Sequence, residues 1–85
     1  MRIKDSYILS EVGDDSVIIP VEGAFSGVVR INDTAKFIFE CLLEETTKES
    51  VLDRMAKKYD AERDKLAESV NVTLKTLRQI GALEE

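Results

Sequence analysis

The chain has no histidine and no tryptophan, and only one cysteine, one proline and four glycines among its 85 residues. Without an imidazole it lacks the usual general acid and base of neutral-pH chemistry and the commonest nitrogen ligand for a metal. Lone Cys41 has no second cysteine or histidine with which to hold zinc, and no histidine to activate it as a nucleophile. The carboxylate clusters Asp14-Asp15, Glu44-Glu45 and Glu84-Glu85 lack the spacing of a calcium loop and read as solvated charge. Gly23 and Gly27 flank Ala24-Phe25-Ser26, but the next run is a strand, so they read as turn residues and not as a phosphate loop. Phe25 between them is expected to anchor the loop on the sheet, with an exposed contact for a partner as the alternative. The sequence assigns no catalytic residue, metal ligand or cofactor, and an enzyme is the least supported class.

Long apolar runs are also missing, which leaves neither a membrane span nor the apolar stretch of a secretory signal. A cytoplasmic location is the expectation, and a single cysteine agrees with it. No run combines a basic polar face with a bulky apolar one, so no membrane contact is expected. Positive charge is in short supply as well: 12 Lys and Arg against 17 Asp and Glu give a net charge of -5. Nucleic-acid binding draws most of its affinity from neutralised phosphates, so this balance argues against DNA. With 44% hydrophobic and 34% charged residues, the chain reads as one globular domain over residues 1–85. At that length a single core removes roughly 60 to 65% of the unfolded surface from water.

What is present is an order of segments. Tyr7 to Val12 is β-rich, Gly13-Asp14-Asp15 signals a turn, and Ser16 to Ile19 completes a hairpin. Pro20 has no amide hydrogen and belongs at a strand end or an edge. A third run, Val28-Val29-Arg30-Ile31, follows Gly27. Alternation places Val29 and Ile31 on one face and Val28 and Arg30 on the other, with one face toward the core.

Helical patterns fill the rest. Asn32 is the expected N-cap of a first helix from Asp33 to Glu44. Its stripe holds Thr34, Ala35, Ile38, Cys41, Leu42 and Glu45, with Phe37 and Phe39 on the flanks. Thr46 with Glu49 reads as a capping box ahead of Val51, Leu52, Met55 and Tyr59, which predicts a second, shorter helix. Asp60 is the expected cap of a third, from Ala61 to Gln79, closed by a left-handed Gly81. Leu66, Val70, Thr73, Leu74, Leu77 and Ile80 form its core stripe, while Val72 lies beside it with Ser69 and Thr76. Such a flank of small and apolar side chains suits the wall of a groove.

Three antiparallel strands followed by three helices give an α+β, winged-helix-like fold with its sheet at the N-terminus. The chain resembles the PqqD family, whose fold is shared by the recognition elements of ribosomally made, post-translationally modified peptides. Four segments carry the likeness: Val17-Ile18-Ile19-Pro20-Val21, the join Val29 to Ala35, Phe37 to Leu43, and the close Leu77 to Leu83. Where the family often has a glycine in the join and a tryptophan near Phe39, this chain keeps the packing with other residues.

The resemblance implies a peptide-binding adaptor without catalytic activity. The leader segment of a precursor peptide adds as an antiparallel strand to the edge formed by Val28, Val29, Arg30 and Ile31. It packs against Ser69, Val72, Thr73 and Thr76 of the third helix. The implied partners are that precursor peptide and a tailoring enzyme, such as a radical SAM enzyme, a cyclase or a leader peptidase. A homodimer remains open. The alternative is a winged-helix DNA-binding or regulatory protein using the third helix in a major groove. The outward mixture of Glu62, Asp64, Glu68 and Asn71 with Lys65, Lys75 and Arg78 favours the adaptor, with no nucleic acid as partner.

Overall fold

A computed structural model describes residues 1–21 and 29–85. Its elements are β1 (Arg2–Ile3), β2 (Tyr7–Val12), β3 (Asp15–Pro20), β4 (Val29–Ile31), α1 (Asp33–Cys41), α2 (Lys48–Lys58), α3 (Arg63–Gln79) and β5 (Leu83–Glu84). The expected roles of Gly23, Phe25, Gly27 and Val28 lie outside the described residues.

The three-stranded antiparallel sheet has the order β2-β3-β4, so β3 is central and β4 is an edge. Val12 pairs with Asp15 across a two-residue turn, and Gly13 takes φ +65 there. A left-handed first residue followed by an ordinary second one matches the twist of the flanking strands, which is why this tight hairpin takes glycine at that position. Asp15 therefore starts β3 instead of belonging to the turn. Pro20 ends the same strand, where a missing amide hydrogen is tolerated.

The helices cover one face of this sheet. Ile18, Ile38, Phe39, Leu42, Val51, Met55, Val70 and Leu77 are buried together, with Val29 and Ile31 packed against them from β4. Arg30, between those two, is exposed on the other face. The fold is winged-helix-like, with the sheet preceding the helices.

Several boundaries depart from the sequence expectation. α1 stops at Cys41 instead of Glu44, because Leu42 turns into the core and its carbonyl accepts from the Ile3 amide at 2.8 Å. Glu45, expected on the helical stripe, is exposed beyond the helix end. Phe39 is fully buried and not on a flank, whereas Thr34 and Ala35 are half-buried. The cap of α2 is Thr47, whose Oγ1 accepts from the Ser50 amide at 3.1 Å, and not Thr46. Thr46 is engaged one position earlier, donating its amide to the Met1 carbonyl at 3.0 Å. α3 begins at Arg63 after an extended Glu62, two residues later than Asp60 would have set it. Arg63 is drawn to α2, 3.0 Å from Asp53 and 3.5 Å from Glu49. Thr73 and Ile80, expected in the core stripe, are half-buried at its margin.

The close of α3 follows the sequence expectation. Gly81 at φ +77 lets its amide reach the Arg78 carbonyl at 3.1 Å and the Ala82 amide reach the Leu77 carbonyl at 2.9 Å. That paired arrangement satisfies two carbonyls of the last turn and sends the chain back. β5 then pairs antiparallel with β1, Arg2 opposite Glu84 and Ile3 opposite Leu83, a second small sheet not anticipated from sequence.

Candidate functional site

Two elements with no direct connection in the chain, β4 and α3, define a concavity. Between them runs an open groove of about 520 Å³. Its floor is Ile18 of β3 and Leu77 of α3, both fully buried. One wall is Arg30, Ile31, Asn32, Thr34 and Ala35, which is the end of β4 and the first turn of α1. The facing wall is Lys65, Glu68, Ser69, Val72, Thr73 and Thr76 of α3. At 100° per residue these α3 positions fall on one face, immediately beside the core stripe of Leu66, Val70, Leu74 and Leu77.

The polar groups near the floor are committed locally. Asn32 Oδ1 accepts from the Ala35 amide at 2.8 Å, which holds the strand-to-helix join in place. Thr76 Oγ1 donates to the Val72 carbonyl at 3.2 Å, back along its own helix. Val72 itself is 60% exposed, a large apolar side chain left on the groove wall. β4 hydrogen-bonds to β3 on one side, and among the described residues no strand pairs with its other side. Backbone donors and acceptors of an edge strand thus lie beside a wall of small hydroxyl side chains and exposed Val72, which is the geometry that accepts one more extended strand.

Of the residues singled out from sequence, Arg30, Ile31, Ser69, Val72, Thr73 and Thr76 are brought together on this groove. Val29 is not on its lining. It is half-buried against the core and opposite Ile18, so only its backbone belongs to the edge. Val28 lies outside the described residues. Sequence reasoning missed Ile18, Asn32, Thr34, Ala35, Lys65, Glu68 and Leu77. Thr34 and Ala35 carried a usable signal, since small side chains at a helix start beside an edge strand leave open space. Lys65 and Glu68 lie on the same α3 face as Ser69 and Val72.

Elsewhere the surface chemistry is structural. A second hollow of about 320 Å³ lies between α1 and α2 near Phe37 and Tyr59. Those rings meet edge to face at 5.9 Å, with Lys58 Nζ 4.7 Å from the Phe37 centroid. Cys41 is buried, and desolvation pushes its thiol pKa up, with Arg54 opposing that shift. A protonated, inaccessible thiol is an inert packing group. Among the described residues no three His, Cys, Asp or Glu side chains gather to hold a metal. No helix of the described residues is long and apolar enough to cross a membrane.

Similarity to known proteins bears on the same fold. The structure superposes on TbiB1 in complex with the TbiA(beta) leader peptide with a TM-score of 0.78 and 19% identity, covering 99% of this chain and 95% of that one. Lasso peptide synthetase B1 complexed with the leader peptide matches with a TM-score of 0.77 and 18% identity, covering 99% of this chain and 96% of that one. No curated protein is significantly similar in sequence. The family model for Coenzyme PQQ synthesis protein D (PqqD) matches residues 15–83, from the start of the central strand into the closing one. With the edge strand, the groove and most of the core inside that match, the chain belongs to the PqqD family.

Proposed function

We propose that this chain binds the leader segment of a ribosomally made precursor peptide and presents it to a tailoring enzyme. The observation that carries the reading is the side of β4 that no strand among the described residues pairs with, lying along the α3 wall of Ser69, Val72, Thr73 and Thr76. An incoming strand finds main-chain partners on Arg30 and its neighbours, and side-chain space against Ser69, Val72, Thr73 and Thr76. Main-chain bonds then supply affinity and the wall supplies selection. Two matching structures of the same fold are complexes with leader peptides, which supports the same use of the fold here.

Presentation to an enzyme, rather than chemistry on the peptide, fits a site lined by hydroxyls, aliphatic groups and three ordinary charges. The enzyme's class, whether radical SAM enzyme, cyclase or leader peptidase, is left to its own active site. The DNA-binding reading is not favoured, because the face of α3 that borders β4 is a groove wall carrying Glu68 beside Lys65, not a row of basic and amide side chains.

An isotope-edited NMR titration tests the proposal. Leader peptides encoded beside the gene are added to the labelled chain, with duplex DNA as control. Shifts confined to β4, the first turn of α1 and the groove face of α3 are expected with peptide alone. Shifts with DNA, or none with any peptide, overturn the reading.

A further inference from the structure

Arg30 is the central residue of β4, and its side chain is 79% exposed. Its neighbours Val29 and Ile31 pack toward the core, so Arg30 points to the opposite face of the sheet. Its ion-pair contact among the described residues is Asp15 Oδ2 at 3.8 Å, too long for a good hydrogen bond. Toward the described residues the guanidinium therefore keeps nearly all of its donor capacity, in the fork that suits a carboxylate. Lys65 stands across the groove with no carboxylate in ion-pair range among the described residues. Glu68 is the one acid on the lining among the described residues. Lys65 and Glu68 offset each other in charge on the α3 wall, so among the described residues the positive charge left beside the β4 edge is the Arg30 guanidinium.

Strand geometry converts this into a ligand pattern. In an antiparallel pair, residues directly opposite each other place their side chains on the same face. A peptide residue opposite Arg30 thus lies beside the guanidinium, and the residues before and after it point to Val72, Thr73 and Thr76. We propose that Arg30 is a specificity-determining residue that selects an acidic side chain at the central position of an apolar-acidic-apolar segment of the bound leader. This inference rests on the strand-addition reading above.

The test uses a leader peptide, encoded beside the gene, that shifts the β4 resonances, synthesised in three versions with Glu, Gln or Lys at the position opposite Arg30. Wild-type protein is expected to bind the Glu version roughly fivefold more tightly than the Gln version, and the Lys version more weakly still. Arg30→Glu should reverse that order, and Asp15→Asn, which frees the guanidinium, should strengthen binding of the Glu version. Arg30 and Asp15 are exposed, so melting temperatures of both variants should stay close to wild type. Equal binding of all three versions, with shifts still on β4, overturns the role of Arg30 and leaves strand addition standing. Absence of β4 shifts with every peptide overturns strand addition itself, and this inference with it.

Discussion

Tyr7 donates its phenolic hydrogen to the Ile80 carbonyl at 2.7 Å, joining the first residue of β2 to the residue that caps α3. The ring is buried in the core, and the bond satisfies one carbonyl that the helix end leaves free. Tyr7→Phe keeps the packing and removes the bond. It should lower stability by about 1 kcal/mol, rising to about 3 kcal/mol if the carbonyl stays dry. For a chain of this size that is a fall in Tm of about 4–8 °C per kcal/mol. Thermal unfolding measures it, and an unchanged Tm would show that water replaces the bond.

Val72 and Leu74 lie two residues apart on α3 and separate binding from folding. Val72 is exposed on the groove wall, and Leu74 is 2% exposed in the core. Val72→Asp should weaken leader binding by about tenfold or more while Tm stays near wild type, because the new carboxylate is solvated until a peptide covers it. Leu74→Ala should cost about 2–5 kcal/mol of stability through the cavity it leaves. Calorimetric binding and urea unfolding on both variants check the pair. A Val72→Asp chain that melts early and binds normally would place Val72 in the core.

Strand addition predicts a change in the backbone of β4. Amides that face away from β3 exchange with solvent in the free chain and should become protected when a peptide pairs with them. Hydrogen exchange followed by NMR, with and without leader peptide, reads this along Val29–Ile31, where alternate amides face β3 and the open side. Protection on α3 alone would mean that the peptide lies on the helix without joining the sheet.

Glu11 on β2 and Lys36 on α1 form a hydrogen-bonded ion pair that ties the sheet to the first helix. The Lys36 hydrogen bond and its charge hold the Glu11 pKa below the ordinary 4.5. The same contact raises the Lys36 pKa above 10.5. A lowered carboxylate contributes stability above its unfolded pKa, lost as pH falls through the folded one; a raised ammonium contributes below its unfolded pKa, lost as pH rises through the folded one. The pair thus supports the fold between those limits. Arg78 lowers the Glu85 carboxyl through a hydrogen bond in the same direction. Glu11→Gln should therefore flatten the acid side of the stability curve without moving its neutral plateau much, since both partners are solvated. Urea midpoints from pH 7 down to about pH 3 give the comparison.

Cys41 should resist alkylation in the native chain and react only through opening, because it is buried and its thiolate is disfavoured. Its labelling rate by iodoacetamide should rise with urea in step with unfolding. Fast labelling in buffer would show that α1 opens locally.

The local signals in the sequence were those read within a few residues. Gly13 marked a turn, Gly81 marked a left-handed helix end, Asn32 marked a cap, and the repeat Leu66, Val70, Leu74, Leu77 marked a buried face. In each case the physical cause is a φ value, a free amide or a helical period, and all of these are local. Ser69, Val72 and Thr76 were legible as one flank of α3 for the same reason. The misplaced starts of α2 and α3 had a different origin. Thr46 and Thr47 are both competent caps, and the backbone bond from Thr46 to Met1 selected between them. Arg63 began α3 where it meets Asp53 and Glu49 on α2. No short window contains those partners.

By itself the sequence determined the class of the protein: an acidic, histidine-free chain of three main strands and then three helices, with a β-branched segment and a long helix whose flank carries small side chains and Val72. Local propensity and periodicity are enough for that. The family resemblance implied that the third strand is an edge facing the Val72 flank of the third helix, and only the tertiary structure decided that Thr34, Ala35 and Lys65 share that groove with Ile18 and Leu77 as its floor. Those relationships depend on packing between residues as far apart as Ile31 and Val72, and on β1 and β5 closing the two ends together. Such contacts form only when the whole core is assembled, because the energy that selects them is the burial of Ile18, Phe39 and Leu77 at once.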